Sequence, residues 1–183
     1  MACKVTTGIT NDCSDLLRVG GVDKTFWVGY LSELTTQFSL AQTADISALP
    51  SFTTYGGLRR FDGNKFSHSF GSELMVAAGG NKSYRQTFVA KLLSNSTDDD
   101  NVLQDLDLGN DIFVIVQDNN RTFYILGAGN GLSAASDVQN SGQTGDSDTT
   151  STVTLEGMEL TKPLRLTITN YQTTLTTLEA AEI

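Results

Sequence analysis

The sequence predicts a mainly β protein: a single-domain sandwich or barrel of about eight to ten antiparallel strands with one short α-helix. Three observations favour this fold class. The 183-residue chain holds 24 threonines and 17 glycines but only 2 prolines, a composition typical of β structure. Apolar residues make up 39% of the chain, which is enough to form a folded core. Short turns rich in Gly, Asn and Asp separate runs of strand-forming residues.

The first clear strand is predicted in residues 26–34, where aromatic and apolar side chains fall on both faces. Phe26 and Val28 lie on one face and Trp27 lies on the other. The strand is therefore expected to be covered on both sides. Residues 1–20 are expected to form an N-terminal arm ahead of it, within one domain that spans residues 1–183.

A long hairpin is predicted over residues 51–76. Residues 51–61 form one arm, Asp62-Gly63-Asn64 supplies the turn, and residues 65–76 form the other arm. A second turn at Gly79-Gly80-Asn81 should return the chain into a further strand, so that these strands form a meander.

One helix is predicted at about residues 97–108. Ser96 or Thr97 can cap its first amide groups, and three aspartates follow in the first turn, where the helix dipole favours negative charge. Val102, Leu103 and Leu106 have helical spacing, and a glycine after them is a typical helix end.

The rest of the chain is expected to form a second hairpin, a long polar loop, two last strands and a polar tail. The corresponding residues are 111–126 for the hairpin around Asp118-Asn119-Asn120, 127–148 for the loop, 152–160 and 164–171 for the strands, and 172–183 for the tail.

The charge balance argues against a nucleic-acid-binding protein. The chain has 12 basic and 21 acidic residues and a net charge of -9, whereas binding to phosphates needs clustered cations. The chain contains no apolar run long enough for a transmembrane helix. Its two cysteines, Cys3 and Cys13, are expected to be free thiols, because two cysteines do not form a disulfide framework.

No catalytic, cofactor-binding or metal site is predicted. The single histidine, His68, lies between Phe66 and Phe70 on a strand face, where a packed histidine is more common than a catalytic base. The glycine-rich run from Gly127 to Gly131 follows a strand, but its spacing differs from the dinucleotide fingerprint and no helix follows it. It is better explained as a bend. The protein is therefore not expected to be an enzyme.

The C-terminal third carries a pattern of a Gly/Asp loop, a Thr-rich strand, a Gly-Glu turn and a proline before the last strand. It runs from Gly145-Asp146-Ser147-Asp148 through Val153-Thr154-Leu155-Glu156-Gly157-Met158-Glu159 to Lys162-Pro163. This pattern resembles virion structural proteins of tailed bacteriophages. Size and layout are most similar to those of the major tail tube protein.

The resemblance implies that the protein assembles with itself into hexameric rings, which stack into a tube through which DNA passes without specific binding. It implies a place in the virion tail, contacts with other virion proteins, and assembly in the host cytoplasm without a membrane. The 51–76 hairpin is then the candidate for contact between subunits. Its candidate contact residues are Phe52, Tyr55, Leu58, Arg59, Arg60 and Phe61.

Two alternatives remain open from the sequence. A capsid decoration protein or a head–tail or tail completion protein would form a trimer or a single ring instead of a long tube. A carbohydrate-binding β-sandwich would need exposed aromatic residues on one sheet face, and the only tryptophan, Trp27, lies among core-like residues.

Overall fold

A computed structural model describes residues 20–40, 45–64, 66–93, 96–141 and 149–183. The N-terminal arm with Cys3 and Cys13, and residues 145–148 of the C-terminal pattern, lie outside the described residues. The strands are β1 (Val22–Tyr30), β2 (Arg59–Asp62), β3 (Ser69–Val76), β4 (Lys82–Leu93), β5 (Ile112–Asp118), β6 (Phe123–Leu126), β7 (Ser133–Asn140), β8 (Thr150–Glu159) and β9 (Leu164–Leu166), and the helices are α1 (Thr97–Leu108) and α2 (Tyr171–Ala180).

The strands form two antiparallel sheets, one with five strands in the order β2-β1-β5-β6-β9 and one with four in the order β3-β4-β8-β7. The predicted mainly β fold class is confirmed, and the sheets form a sandwich, not a closed barrel. The five-stranded sheet lies in the middle of three layers, because both of its faces are buried. One face packs on the four-stranded sheet and α1, and the other packs on α2 and the segment before β2.

β1 has the two covered faces that its sequence predicts. Phe26 and Val28 pack toward the four-stranded sheet, and Trp27 packs on the opposite face against the layer that contains Leu178. β5 beside it is completely buried from Ile112 to Val116, as expected for a continuous apolar strand at the centre of a layered fold.

The predicted 51–76 hairpin is wrong. β2 pairs with β1, while β3 pairs with β4 in the other sheet. The residues between them carry the chain from one sheet to the other. A Cβ atom at Gly63 would overlap the ring of His68, so a residue read as part of a hairpin turn is instead required for close packing between the sheets.

Three other predicted elements are confirmed. The β3–β4 hairpin turns where Gly80, with φ at 82°, adopts the left-handed conformation. α1 begins after Ser96, whose Oγ accepts a hydrogen bond of 3.2 Å from the Asp99 amide, and it buries Leu103 and Leu106. β5 and β6 pair around Asp118.

Three elements were not predicted. A 3₁₀ helix at Leu31–Glu33 occupies the end of the strand predicted over residues 26–34, because β1 ends at Tyr30. β7 lies in the segment expected to be a loop and pairs with β8; seven of its eight residues are polar or alanine, so no apolar alternation marks it. α2 occupies most of the expected polar tail at 172–183. The Asn170 side chain caps it by accepting from the Thr173 amide, and Thr174 and Leu178 are buried. The helix was missed because threonine has low helix propensity and hides the apolar period.

Candidate assembly surfaces

The six predicted contact residues do not form one surface. Leu58 is completely buried, and the partly buried Phe52 packs against the core cluster that contains Phe113. Phe61 stacks on Phe26 with ring centroids 5.2 Å apart. Tyr55 is 92% exposed, and Arg60 is exposed on β2. Of the six, Tyr55 and Arg60 are the residues that still present a side chain to a partner.

Arg59 is tied into the fold. Its Nη1 and Nη2 atoms lie 2.6 and 2.7 Å from the two carboxylate oxygens of Glu33, a bidentate geometry that fixes both groups. Its guanidinium lies 4.9 Å from the centre of the Tyr30 ring. The hydrogen bond to Glu33 raises the pKa of Arg59. A charge reversal at Arg59 would therefore place two carboxylates together and disturb the fold.

β2 lies beside an open cleft that α1 closes on its far side. One part of the cleft has a volume of about 450 Å³, and its lining includes Tyr30, Phe61 and Leu106. Leu58, just before β2, pairs in parallel with Glu182. The C-terminal residues thus occupy the outer edge of the sheet at that point.

α1 joins the β2 side of one sheet to the β7 edge of the other. Gln139 of β7 donates a 3.2 Å hydrogen bond to Asp100 of the helix. Asp107 lies beside Asp137 of β7; burial, and then the Asp137 carboxylate, raise the pKa of Asp107. Asp137 also accepts a hydrogen bond from the Ser151 hydroxyl.

The β3–β4 hairpin extends beyond the five-stranded sheet that it faces. Phe70 of β3 contacts Tyr124 of β6, with ring centroids 5.1 Å apart. Leu74 and Val76 follow on the same face at alternate positions, but they are 46% and 59% exposed. β6 has 4 residues whereas β4 has 12, so the facing sheet ends before these two side chains. We call residues 72–84 the hairpin tip.

The outer face of the four-stranded sheet carries small and polar side chains together with apolar ones at Met75, Val89, Leu93, Val138 and Met158, and all of these except the buried Thr150 are exposed or half-exposed. Its charged residues balance: Glu73 and Glu156 are acidic, and Arg85 and Lys91 are basic. Arg85 and Glu156 form an ion pair of 2.9 Å across β4 and β8. The hydroxyl residues on this face are Ser69, Ser83, Thr87, Ser133, Ser136, Thr152 and Thr154.

The glycine-rich run after β6 holds one of the chain's own carboxylates. The amides of Gly129, Asn130 and Gly131 donate to Glu159 Oε1 at 3.2, 2.8 and 3.2 Å. Glu159 is 2% exposed. Because the Glu159 carboxylate already accepts from these three amides, the glycine-rich run is a bend that Glu159 stabilises.

His68 is 3% exposed and joins the two sheets. Its Nδ1 lies 3.3 Å from the donating amide of Lys91, and its Nε2 lies 3.1 Å from the Lys24 carbonyl. This pair of partners selects the neutral tautomer with the proton on Nε2. Burial lowers the pKa of His68. The ring also packs against Phe26 and Phe88, whereas Phe66, expected beside it on one strand face, lies in a turn before β3 and is exposed.

Acid should destabilise the protein through His68. Because its pKa is lowered in the folded state, the unfolded chain takes up the proton first, and stability falls as the pH drops below about 6.5. Asp107 acts in the opposite direction, since its raised pKa favours the folded state at low pH. Urea unfolding of the wild type between pH 7.5 and 5 should show this loss. His68→Gln should remove the dependence of the unfolding free energy on pH near pH 6. A variant that keeps the full dependence would contradict its assignment to His68.

Neither a metal site nor a membrane-crossing helix is found among the described residues. No group of three or more His, Cys, Asp or Glu side chains in them could hold a metal ion, and no helix there has the length and apolar character to span a bilayer. Comparison with protein-family models, with curated proteins and with solved structures gave no match.

Proposed function

We propose that this protein is a structural protein that assembles with itself into closed rings. Within that class, the resemblance of its C-terminal third favours the tail tube of a tailed bacteriophage, in which stacked rings form the conduit for DNA. The observation that carries the proposal is the hairpin tip. Leu74 and Val76 lie on the core-facing side of β3, but no second layer covers them.

The four-stranded sheet offers two ends for ring closure. β3 is its edge on one side and β7 is its edge on the other. An exposed strand edge presents backbone groups that can pair with another chain. Pairing of β3 in one copy with β7 in the next would continue one sheet through all subunits, and repeated head-to-tail contacts close into a ring.

The outer face of this sheet would then line the channel. It carries hydroxyl groups, two acidic and two basic residues and five aliphatic or methionine side chains, and no aromatic ring. Stacking of bases on aromatic rings and clustered cations are the main sources of binding to single strands and phosphates. Such a surface suits passage of DNA without retention.

The carbohydrate-binding alternative receives no support from the tryptophan. Trp27 is 1% exposed, and its Nε1 donates to Glu182 at 2.8 Å. The ring lies between the middle sheet and the outer layer, where a sugar cannot stack on it.

Negative-stain electron microscopy with light scattering tests the proposal. The wild type should form rings or tubes, and Leu74→Lys with Val76→Lys should abolish them while circular dichroism stays unchanged, because both side chains are exposed. Thr176→Lys with Ala180→Lys adds the same charge on the exposed side of α2 and should leave assembly intact. Small closed rings alone would favour a decoration or completion protein, and a wild type that stays monomeric at high concentration would contradict self-assembly.

A further inference from the structure

Three cations lie along one side of the sandwich, and each is placed over a tyrosine ring. The guanidinium of Arg121 lies 5.4 Å from the centre of the Tyr171 ring, that of Arg165 lies 5.8 Å from Tyr124, and Lys162 Nζ lies 6.0 Å from Tyr84. We call the three cations Arg121, Lys162 and Arg165 the basic stripe.

The basic stripe is available to a partner. All three residues are exposed, and within the described part of the chain none of them forms an ion pair. Among the nearby acids, Asp118 has its carboxylate taken up by the amides of Asn120 and Thr122. A cation over a tyrosine ring is also partly ordered before binding, which lowers the entropy lost in a contact.

The opposite side of the molecule carries the acidic α1, and the two arginines of β2 beside it are paired with Glu33 and Asp62. α1 contains five aspartates and no lysine or arginine. It lies against β2 at the cleft and against β7 through Gln139, which are the far edges of the two sheets. The basic stripe lies by β6 and β9, with β3 packed on β6 through Phe70. In each sheet, the basic stripe therefore lies near one edge (β9 or β3) and α1 lies near the other edge (β2 or β7).

We infer that neighbouring subunits meet with the basic stripe of one copy against the acidic α1 of the next. This inference rests on the proposed self-assembly and adds the surfaces that recognise each other. A chain with a net charge of -9 repels its own copies at a distance, and a contact between surfaces of opposite sign offsets that repulsion in one orientation only. The same orientation brings the β3 edge of one copy toward the β7 edge of the next.

Charge exchange between copies tests the inference. One variant carries Lys162→Glu with Arg165→Glu, and the other carries Asp98→Arg with Asp105→Arg, at exposed positions of α1. Each variant alone should need about a tenfold or higher concentration to assemble, because like charges meet at every contact. Mixed in equal amounts, the two should assemble again, since strict alternation pairs opposite charges at every contact.

The control reverses two cations elsewhere, Lys24→Glu with Lys91→Glu, and should assemble as the wild type does; thermal unfolding confirms that each variant is folded. A wild type that assembles while neither reversal has an effect, or a mixture that stays unassembled, would overturn this interface and leave the proposed function standing. A wild type that never assembles would instead overturn the proposed function itself.

Discussion

Replacement of Glu159 by alanine should lower the free energy of unfolding by about 3 kcal/mol. Glu159 is 2% exposed, and its Oε1 atom accepts from three consecutive amides of the bend after β6. Removal of the carboxylate would leave the buried amide of Gly131 and the part-buried amides of Gly129 and Asn130 without this acceptor, and a hydrogen bond to a charged group contributes about 1.5–3 kcal/mol. The same bend leads to Leu132, which pairs with Ile112 of the central strand, so the loss would extend to the core.

Urea unfolding followed by the fluorescence of the single, buried Trp27 measures this loss. Glu159→Gln keeps one acceptor oxygen without charge and should lose about half as much. Glu156→Ala is the matched control, because it removes a partly exposed carboxylate whose ion pair with Arg85 contributes less than about 1 kcal/mol. If Glu159→Ala costs no more than Glu156→Ala, Glu159 does not brace the bend.

The sequence was most informative where a local signal and the tertiary contact agree. The cap, aspartates and leucine spacing of α1 place the helix at the residues it occupies, and the Gly-Gly-Asn turn places the β3–β4 hairpin. The predicted hairpin turn at Asp62–Asn64 is wrong because the same residue types also occur where the chain crosses from one sheet to the other. The close contact between Gly63 and His68 decides between a hairpin turn and a crossing, and this contact cannot be read from the local sequence.

Among the candidate contact residues, too, some features follow from the local sequence and others depend on tertiary contacts. Alternation along β2 places Arg59 and Arg60 on opposite faces of the sheet, so the sequence alone argues against one contact surface that contains both. The partner of Arg59 is Glu33, 26 residues earlier, and a pairing of that kind follows from tertiary structure alone. The basic stripe combines residues from two separate segments, Arg121 before β6 and Lys162 with Arg165 around β9, each ordinary by itself, so composition gave no indication of it.

The second large effect is expected at Leu178, in the segment that the sequence presented as a polar tail. Leu178 is completely buried and belongs to the same cluster as Trp27, Leu58 and Phe123. Its helix is followed by residues that hold the edge of the middle sheet: the Leu58 amide donates to the Ala181 carbonyl, and the Ile183 amide donates to the Leu58 carbonyl. If α2 separates from the sheet, an apolar face and a strand edge become exposed together.

Leu178→Ala should therefore lower the free energy of unfolding by about 2–5 kcal/mol, the usual cost of a large cavity in a packed core, and lower the melting temperature by about 2–4 °C for each kcal/mol. Thr176→Ala, two residues earlier on the exposed side of the helix, should change stability by no more than about 0.5 kcal/mol. Circular dichroism melting of both variants measures the difference. Equal melting temperatures would mean that α2 is dispensable for the fold. A large loss of stability in Leu178→Ala but not in Thr176→Ala would establish α2 as the third layer of the core. Without this layer, one face of the middle sheet would be exposed to water.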